Sequence, residues 1–151
     1  MSMITKDHIF LNQTHASREA VFQFLAEKAV ELTIAASAQP VLEALELRES
    51  EGTTGMMDGF AIPHAKSAAI TTPSVMIVSF TEGVEWDSLD GQSIRYAIAL
   101  FIPDGEAGTT HLQLLSKIAR MLMKQEFKEQ FAASQTSEAL CELFTKYLDG
   151  E

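Results

Sequence analysis

Glu51-Gly52-Thr53-Thr54-Gly55-Met56-Met57-Asp58-Gly59-Phe60-Ala61-Ile62-Pro63-His64-Ala65-Lys66 is the stretch whose reading decides the fold. Its three glycines open the backbone to positive φ or to close approach by another group. Phe60-Ala61-Ile62 reads as a short buried strand. Pro63 holds Ile62 extended and lacks the N–H that a central ladder requires. The strand is therefore expected to end at Pro63, with His64 at its carboxyl end, where open α/β sheets bind ligands. A histidine at a strand end serves equally well as a hydrogen-bonded structural residue, so residue type alone leaves both readings open.

Towards the N-terminus, Ile9-Phe10-Leu11 is a short apolar segment, an edge strand or a docking piece. Thr14 or Ser17 then offers an N-cap, and Val21, Phe22, Leu25, Ala29 and Leu32 recur at helical spacing. Pro40 suits the first turn of a second helix, whose buried stripe is Val41, Leu42 and Leu45 and which ends near residues 47–50. Arg48 falls in its last turn, where a cation complements the helix dipole.

Towards the C-terminus, residues 65–74 read as a loop. Val75-Met76-Ile77-Val78-Ser79-Phe80 is a strand covered on both faces. Trp86 packs a corner, and Asp90-Gly91 marks a tight turn. In a second long strand, Ile94, Tyr96, Ile98, Leu100 and Ile102 share one face, and Ala97, Ala99 and Phe101 the other. Pro103 stops it. Thr110-His111-Leu112-Gln113 then reads as a capping box opening a helix, striped by Leu112, Leu115, Ala119 and Leu122 and widened by Leu114, Ile118 and Met121. Met121 and Met123 read as core filling. Phe127 and Phe131, then Leu140, Phe144, Tyr147 and Leu148, mark two further amphipathic helices, with Cys141 packed beside the last stripe. Helices alternate with buried strands, so the class is α/β with a mixed sheet and helices on both faces, in a single domain over residues 1–151.

Composition narrows the function. The chain has 151 residues, 46% hydrophobic and 21% charged, the profile of a soluble globular domain. Eleven basic against 21 acidic side chains give a net charge of −10, which argues against nucleic-acid and anionic-membrane binding and permits a basic protein partner. The single cysteine excludes an internal disulfide, and there is no zinc-type spacing. The N-terminus lacks the apolar run of a signal peptide, and the longest apolar run, residues 96–102, is too short to span a membrane. A cytoplasmic protein is expected.

The run Arg48-Glu49-x-x-Gly52-x-Thr54-Gly55, followed by Gly59-x-Ala61-Ile62-Pro63-His64, resembles the active-site signature of the fructose/mannitol-class EIIA domains of the bacterial sugar phosphotransferase system. Met57 stands near where that family usually has glycine. The resemblance covers essentially the whole chain and implies a mixed, roughly five-stranded sheet flanked by helices. It implies that His64 is the phosphoryl acceptor, forming a phosphohistidine on its tele nitrogen, that Arg48 helps bind the phosphoryl group, and that His111 is the second active-site histidine. It also implies HPr as phosphoryl donor and a cysteine of a cognate EIIB as acceptor, with the EIIC permease engaged only indirectly and no insertion of this chain into the membrane.

The residue types suit that chemistry. A neutral imidazole nitrogen is nucleophilic near pH 7, and phosphoryl transfer asks mainly for positioning and charge stabilisation. Neither a metal nor another cofactor is required, and there is no Walker-type loop. If the two strand ends are neighbours, His64 and His111 meet in one crevice. His8 and His15 read as surface residues. Glu49, Glu51 and Asp58 are expected to steer a basic partner, and Met56, Met57 and Phe60 to offer an apolar docking face, with core packing the stronger reading for Phe60. Two alternatives to a carrier in sugar uptake stand beside it: a regulatory relative acting through the same phosphohistidine, and a noncatalytic interaction module, which need not keep Arg48, His64 and His111 together.

Overall fold

The computed structural model describes residues 3–105 and 108–149; the side chains at 108–112 and 149 lie outside the described residues. Strands β1 (Ile9–Gln13), β2 (Phe60–Ala61), β3 (His64–Ser67), β4 (Ser74–Val84) and β5 (Ile94–Pro103) form one mixed sheet in the order β1-β4-β5-β2, with β3 also on β5. β1 runs parallel to β4, β4 is antiparallel to β5, and β2 and β3 both run parallel to β5. The expected α/β class and mixed five-stranded sheet are what the chain adopts.

Among the described residues, five α-helices cover the two faces. α1 (Arg18–Glu31) and α2 (Ala38–Ser50) pack Val21, Phe22, Leu25, Val41 and Leu45 against Met76, Val78, Ala97, Ala99 and Phe101. α3 (Gly108–Leu122), α4 (Gln125–Ala133) and α5 (Ser137–Asp149) pack Leu114, Ile118, Phe127, Phe131 and Phe144 against Val75, Ile77, Ile98, Leu100 and Ile102. β4 and β5 are apolar on both faces because both are covered. Ser17 caps α1, its hydroxyl accepting the Ala20 N–H at 3.1 Å.

The sheet departs from simple expectation in two places that position the site. First, the edge strand does not stop at Pro63. It pauses at Ile62-Pro63 and resumes at His64, so β2 and β3 lie one after the other along β5, with Phe60 opposite Tyr96 and His64 opposite Leu100. A proline is tolerated there because it sits on an edge strand, where its missing N–H breaks no ladder; its carbonyl still accepts the Leu100 N–H at 3.0 Å. Residues 65–67, expected as loop, are strand. Second, Ile94 packs with Ala97 and not with Tyr96. The N–H groups of Arg95 and Tyr96 both donate to Gly59 O, at 2.7 and 3.0 Å, so a bulge inserts one residue and reverses the alternation.

The helix after β5 also differs. It begins at Gly108, so Thr110 lies inside the first turn and is not the N-cap. Its buried stripe is Leu114, Ile118, Met121 and Leu122, with Leu115 and Ala119 only partly buried, and Met123 is 80% exposed instead of filling the core. Neither His8 nor His15 is a plain surface residue: His8 Nδ1 lies 3.0 Å from Val75 O, and the His15 ring packs on Phe24 and Phe80.

Candidate functional site

Residues 54–62 fold into a small hairpin that delivers His64. Met56 N–H donates to Phe60 O at 2.7 Å and Ile62 N–H to Thr54 O at 2.9 Å. The tip is Met57-Asp58-Gly59-Phe60, closed by Phe60 N–H on Met57 O at 3.2 Å. Asp58 (φ 61°) and Gly59 (φ 82°) carry its positive φ angles. That is a type I′ pattern, for which Asp-Gly is a favoured pair. Met57 occupies the corner before it and needs no glycine. Asp58 N–H donates to Asp90 Oδ2 at 2.9 Å; this bond, with one from Gln92 N–H, holds the Asp90 carboxyl below the usual carboxylate range. The Lys128 ammonium pairs with Asp58, tying the tip to α4.

Glu49 fastens the other end of the hairpin. Its carboxylate accepts the Thr54 N–H at 3.0 Å and the Thr54 hydroxyl at 2.6 Å, with the Arg18 guanidinium 4.0 Å away. The expectation that Glu49 steers a partner is corrected: it is buried, and a buried carboxylate with these partners acts on the fold. Glu51 is exposed, while Asp58 is engaged by Lys128. Gly55 lies against the neighbouring turn, where a Cβ would sit 2.2 Å from Asp87 O.

These restraints bring Arg48 and His64, sixteen residues apart, into contact. Arg48 Nε–H donates to His64 Nε2 at 2.9 Å, and its Nη1 donates to Gly52 O at 2.7 Å. On its other side, His64 Nδ1 lies 2.9 Å from Ile62 O. A carbonyl only accepts, so Nδ1 carries the proton; an arginine N–H only donates, so Nε2 presents its lone pair. Both bonds select one neutral tautomer, with Nε2 as the nucleophilic nitrogen. His64 is buried at 6% exposure and lines a cavity of ≈ 490 Å³ together with Ala44, Leu47, Arg48, Glu51, Lys66 and Leu115.

Of the expected site residues, Arg48 and His64 are thus brought together. His111 lies in the first turns of α3, and its side chain lies outside the described residues. The three residues expected to offer an apolar docking face differ in exposure. Phe60 is buried and stacks edge-on against Phe131, Met56 is partly buried, and the exposed Met57 does not line the cavity. The apolar groups around His64 are Leu47, 63% exposed, Leu115 and Ala44. Lys66, two residues beyond His64 on β3, shares that residue's face and also lines the cavity; a strand ending at Pro63 gives no reason to expect it there. Among the described residues, no group of three His, Cys, Asp or Glu side chains stands together to hold a metal, and no helix is long and apolar enough to cross a membrane.

Known proteins resemble this one throughout. The PTS system 2-O-alpha-mannosyl-D-glycerate-specific EIIABC component of Escherichia coli is 32% identical over 136 residues, covering 89% of this chain and 21% of the relative. The chain therefore spans about a fifth of that protein. Among solved structures, the nitrogen regulatory protein IIA-Ntr of Neisseria meningitidis superposes with a TM-score of 0.86 at 26% identity, covering 95% of this chain and 97% of that one. The enzyme IIA of mannitol from E. coli, solved in complex with its phosphorylated enzyme IIB, shares the fold with a TM-score of 0.76 at 20% identity over 94% and 96% of the two chains. The family described as "Phosphoenolpyruvate-dependent sugar phosphotransferase system, EIIA 2" matches residues 2–147, and the chain belongs to it.

Proposed function

We propose that this chain is a phosphoryl carrier in which His64 Nε2 accepts phosphate from the phosphohistidine of HPr and passes it to a cysteine of a cognate EIIB. The observation that carries this reading is the paired hydrogen bonding of the His64 ring, Nδ1 on Ile62 O and Nε2 facing Arg48. In the transfer, the Nε2 lone pair bonds to phosphorus while the donor's P–N bond breaks, its electron pair returning to the donor imidazole. The Nδ1 proton stays in place, and Ile62 O stabilises the positive charge that the ring gains. Arg48 Nε–H passes from the lone pair to a phosphoryl oxygen, a charge-assisted contact. His111 supports the transfer without carrying the phosphate.

The geometry and the relatives support partners of this kind. A carrier meets two proteins in turn, so each contact is small and short-lived. Leu47 and Leu115 beside His64 supply the apolar centre of such a face. An EIIB partner is what the E. coli mannitol enzyme IIA holds in its complex. The likeness to the nitrogen regulatory protein supports a second reading, in which the same phosphohistidine switches binding to target proteins. The noncatalytic module loses weight, since it has no need of an arginine on the nucleophilic nitrogen.

The test is incubation with phosphoenolpyruvate, Enzyme I and HPr, followed by mapping of the acid-labile phosphate. Label is expected on His64 and absent from His64→Ala; full labelling of that variant overturns the assignment. Transfer onward to an EIIB of the fructose or mannitol class distinguishes a carrier in sugar uptake, whereas a protein labelled on His64 that serves no EIIB favours the regulatory reading.

A further inference from the structure

We propose that Lys66 is a second phosphoryl-binding cation of this site, joining Arg48 on the phosphate carried by His64. The inference rests on the carrier reading and adds a residue and a mode of control to it. It begins with β3. Because the strand resumes after Pro63, His64 and Lys66 stand two residues apart, opposite Leu100 and Ile102 of β5. They lie on one face of the sheet, roughly 7 Å apart along the strand, well within reach of a flexible lysine stem. Both line the same cavity as Arg48. Lys66 is exposed, and among the described residues it has neither an ion-pair nor a hydrogen-bond partner. Its three N–H donors are uncommitted while His64 is unphosphorylated.

Charge shows why one cation is too few. The chain as a whole carries −10, yet among the described residues the charged lining of this cavity is Arg48 and Lys66 against Glu51, a local excess of positive charge. A phosphoryl group adds about −1.5 to −2 near neutral pH. Arg48 has already given Nη1 to Gly52 O, so only part of its fork turns to the phosphate. Without Lys66, the charged groups among the described lining residues would be Arg48 and Glu51 alone, and the incoming dianion would be opposed by Glu51. The mobile ammonium thus supplies the second charge and follows the phosphoryl group as it arrives and leaves.

There is a plainer account of an exposed lysine at this place. Edge strands carry charged side chains, lysine above all, to prevent pairing with other chains. That role needs a charge of either sign, so the two accounts separate on Lys66→Glu.

The full chain is phosphorylated with potassium phosphoramidate, which needs no protein partner: His64 Nε2 bonds to phosphorus as the reagent's P–N bond breaks and ammonia leaves. Phosphorus NMR follows uptake and loss. In the wild type, label accumulates on His64; its absence there would sink the carrier reading, whatever residue 66 does. Given that label, Lys66→Gln slows uptake about tenfold, equivalent to ~1.4 kcal/mol. Lys66→Arg stays within about twofold of wild type, and Lys66→Glu is slower than Lys66→Gln, as a like charge beside a dianion requires. Added salt slows the wild type more steeply than Lys66→Gln. Wild-type uptake by Lys66→Gln or Lys66→Glu overturns the proposal. So does a defect that appears with phosphorylated HPr but not with phosphoramidate, which would make Lys66 a docking residue.

Discussion

One carboxylate, that of Glu49, holds the end of α2 to the start of the hairpin, and so holds Arg48 relative to His64. It satisfies a buried backbone N–H and a buried hydroxyl of Thr54. Removing an acceptor strands those donors at a cost of about 1–3 kcal/mol. Glu49→Ala is therefore expected to lower the unfolding midpoint by several degrees, at roughly 2–4 °C per kcal/mol for a chain of this size, and to slow labelling of His64 as Arg48 loses its support. Glu49→Gln, which keeps one carbonyl oxygen, falls between. An unfolding midpoint unchanged in Glu49→Ala, by calorimetry, contradicts this role.

The hairpin carries its demands at two glycines of different kinds. Gly59 needs its conformation: φ is 82°, while an added Cβ would meet nothing closer than Arg95 Cγ at 3.5 Å. Gly59→Ala is thus a strain mutation, costing about 1–2 kcal/mol. Gly55 needs space: its Cβ would fall 2.2 Å from the Asp87 carbonyl oxygen, a backbone atom that no rotamer change can move. Gly55→Ala must separate the hairpin from the turn after β4, where the Thr53 hydroxyl also bonds to Asp87 O. Urea denaturation should show Gly55→Ala to be the more destabilised of the two, and the reverse order would refute the distinction between crowding and strain. The element is also where the sequence was hardest to read. The pause at Ile62-Pro63 is visible in the proline, but the resumption of pairing at His64 depends on β5 passing alongside, which no local pattern states.

At the scale of the whole molecule, stability should fall on mild acidification, and His15 is one measurable cause. Its ring is packed on Phe24 and Phe80, with centroids at 4.8 and 6.0 Å, and Nε2 is buried without a hydrogen-bond partner. Burial lowers its pKa from the ordinary 6.5. In the unfolded chain the group binds a proton at higher pH than in the folded one. Below the unfolded pKa the unfolded state therefore holds more protons, and stability rises with pH across that window. The contribution is fully present above about pH 6.5 and declines as pH falls towards and through the lowered folded value. His15→Gln, with no proton to bind, should show a smaller loss of urea midpoint between pH 7 and pH 5 than the wild type. Equal losses in the two proteins would remove His15 from the account.

The sequence by itself determined the class, the two buried long strands and the amphipathic helices, and its resemblance to a family singled out Arg48 and His64 as candidate site residues. The elements rest on short-range periods that survive without tertiary context, and the two residues rest on the motif they share with that family. The tertiary structure alone decided how those pieces act together. It placed Arg48 on Nε2 of His64 across sixteen residues, buried Glu49 as a fastener, put Lys66 on the face of His64, and turned Leu115 from core stripe to cavity wall. The physical reason is the same in each case. A side chain's role at this site is set by which strand continues beside β5 and which helix end abuts it, and those are contacts between segments, while hydrophobic periodicity reports only which side of its own segment a residue occupies.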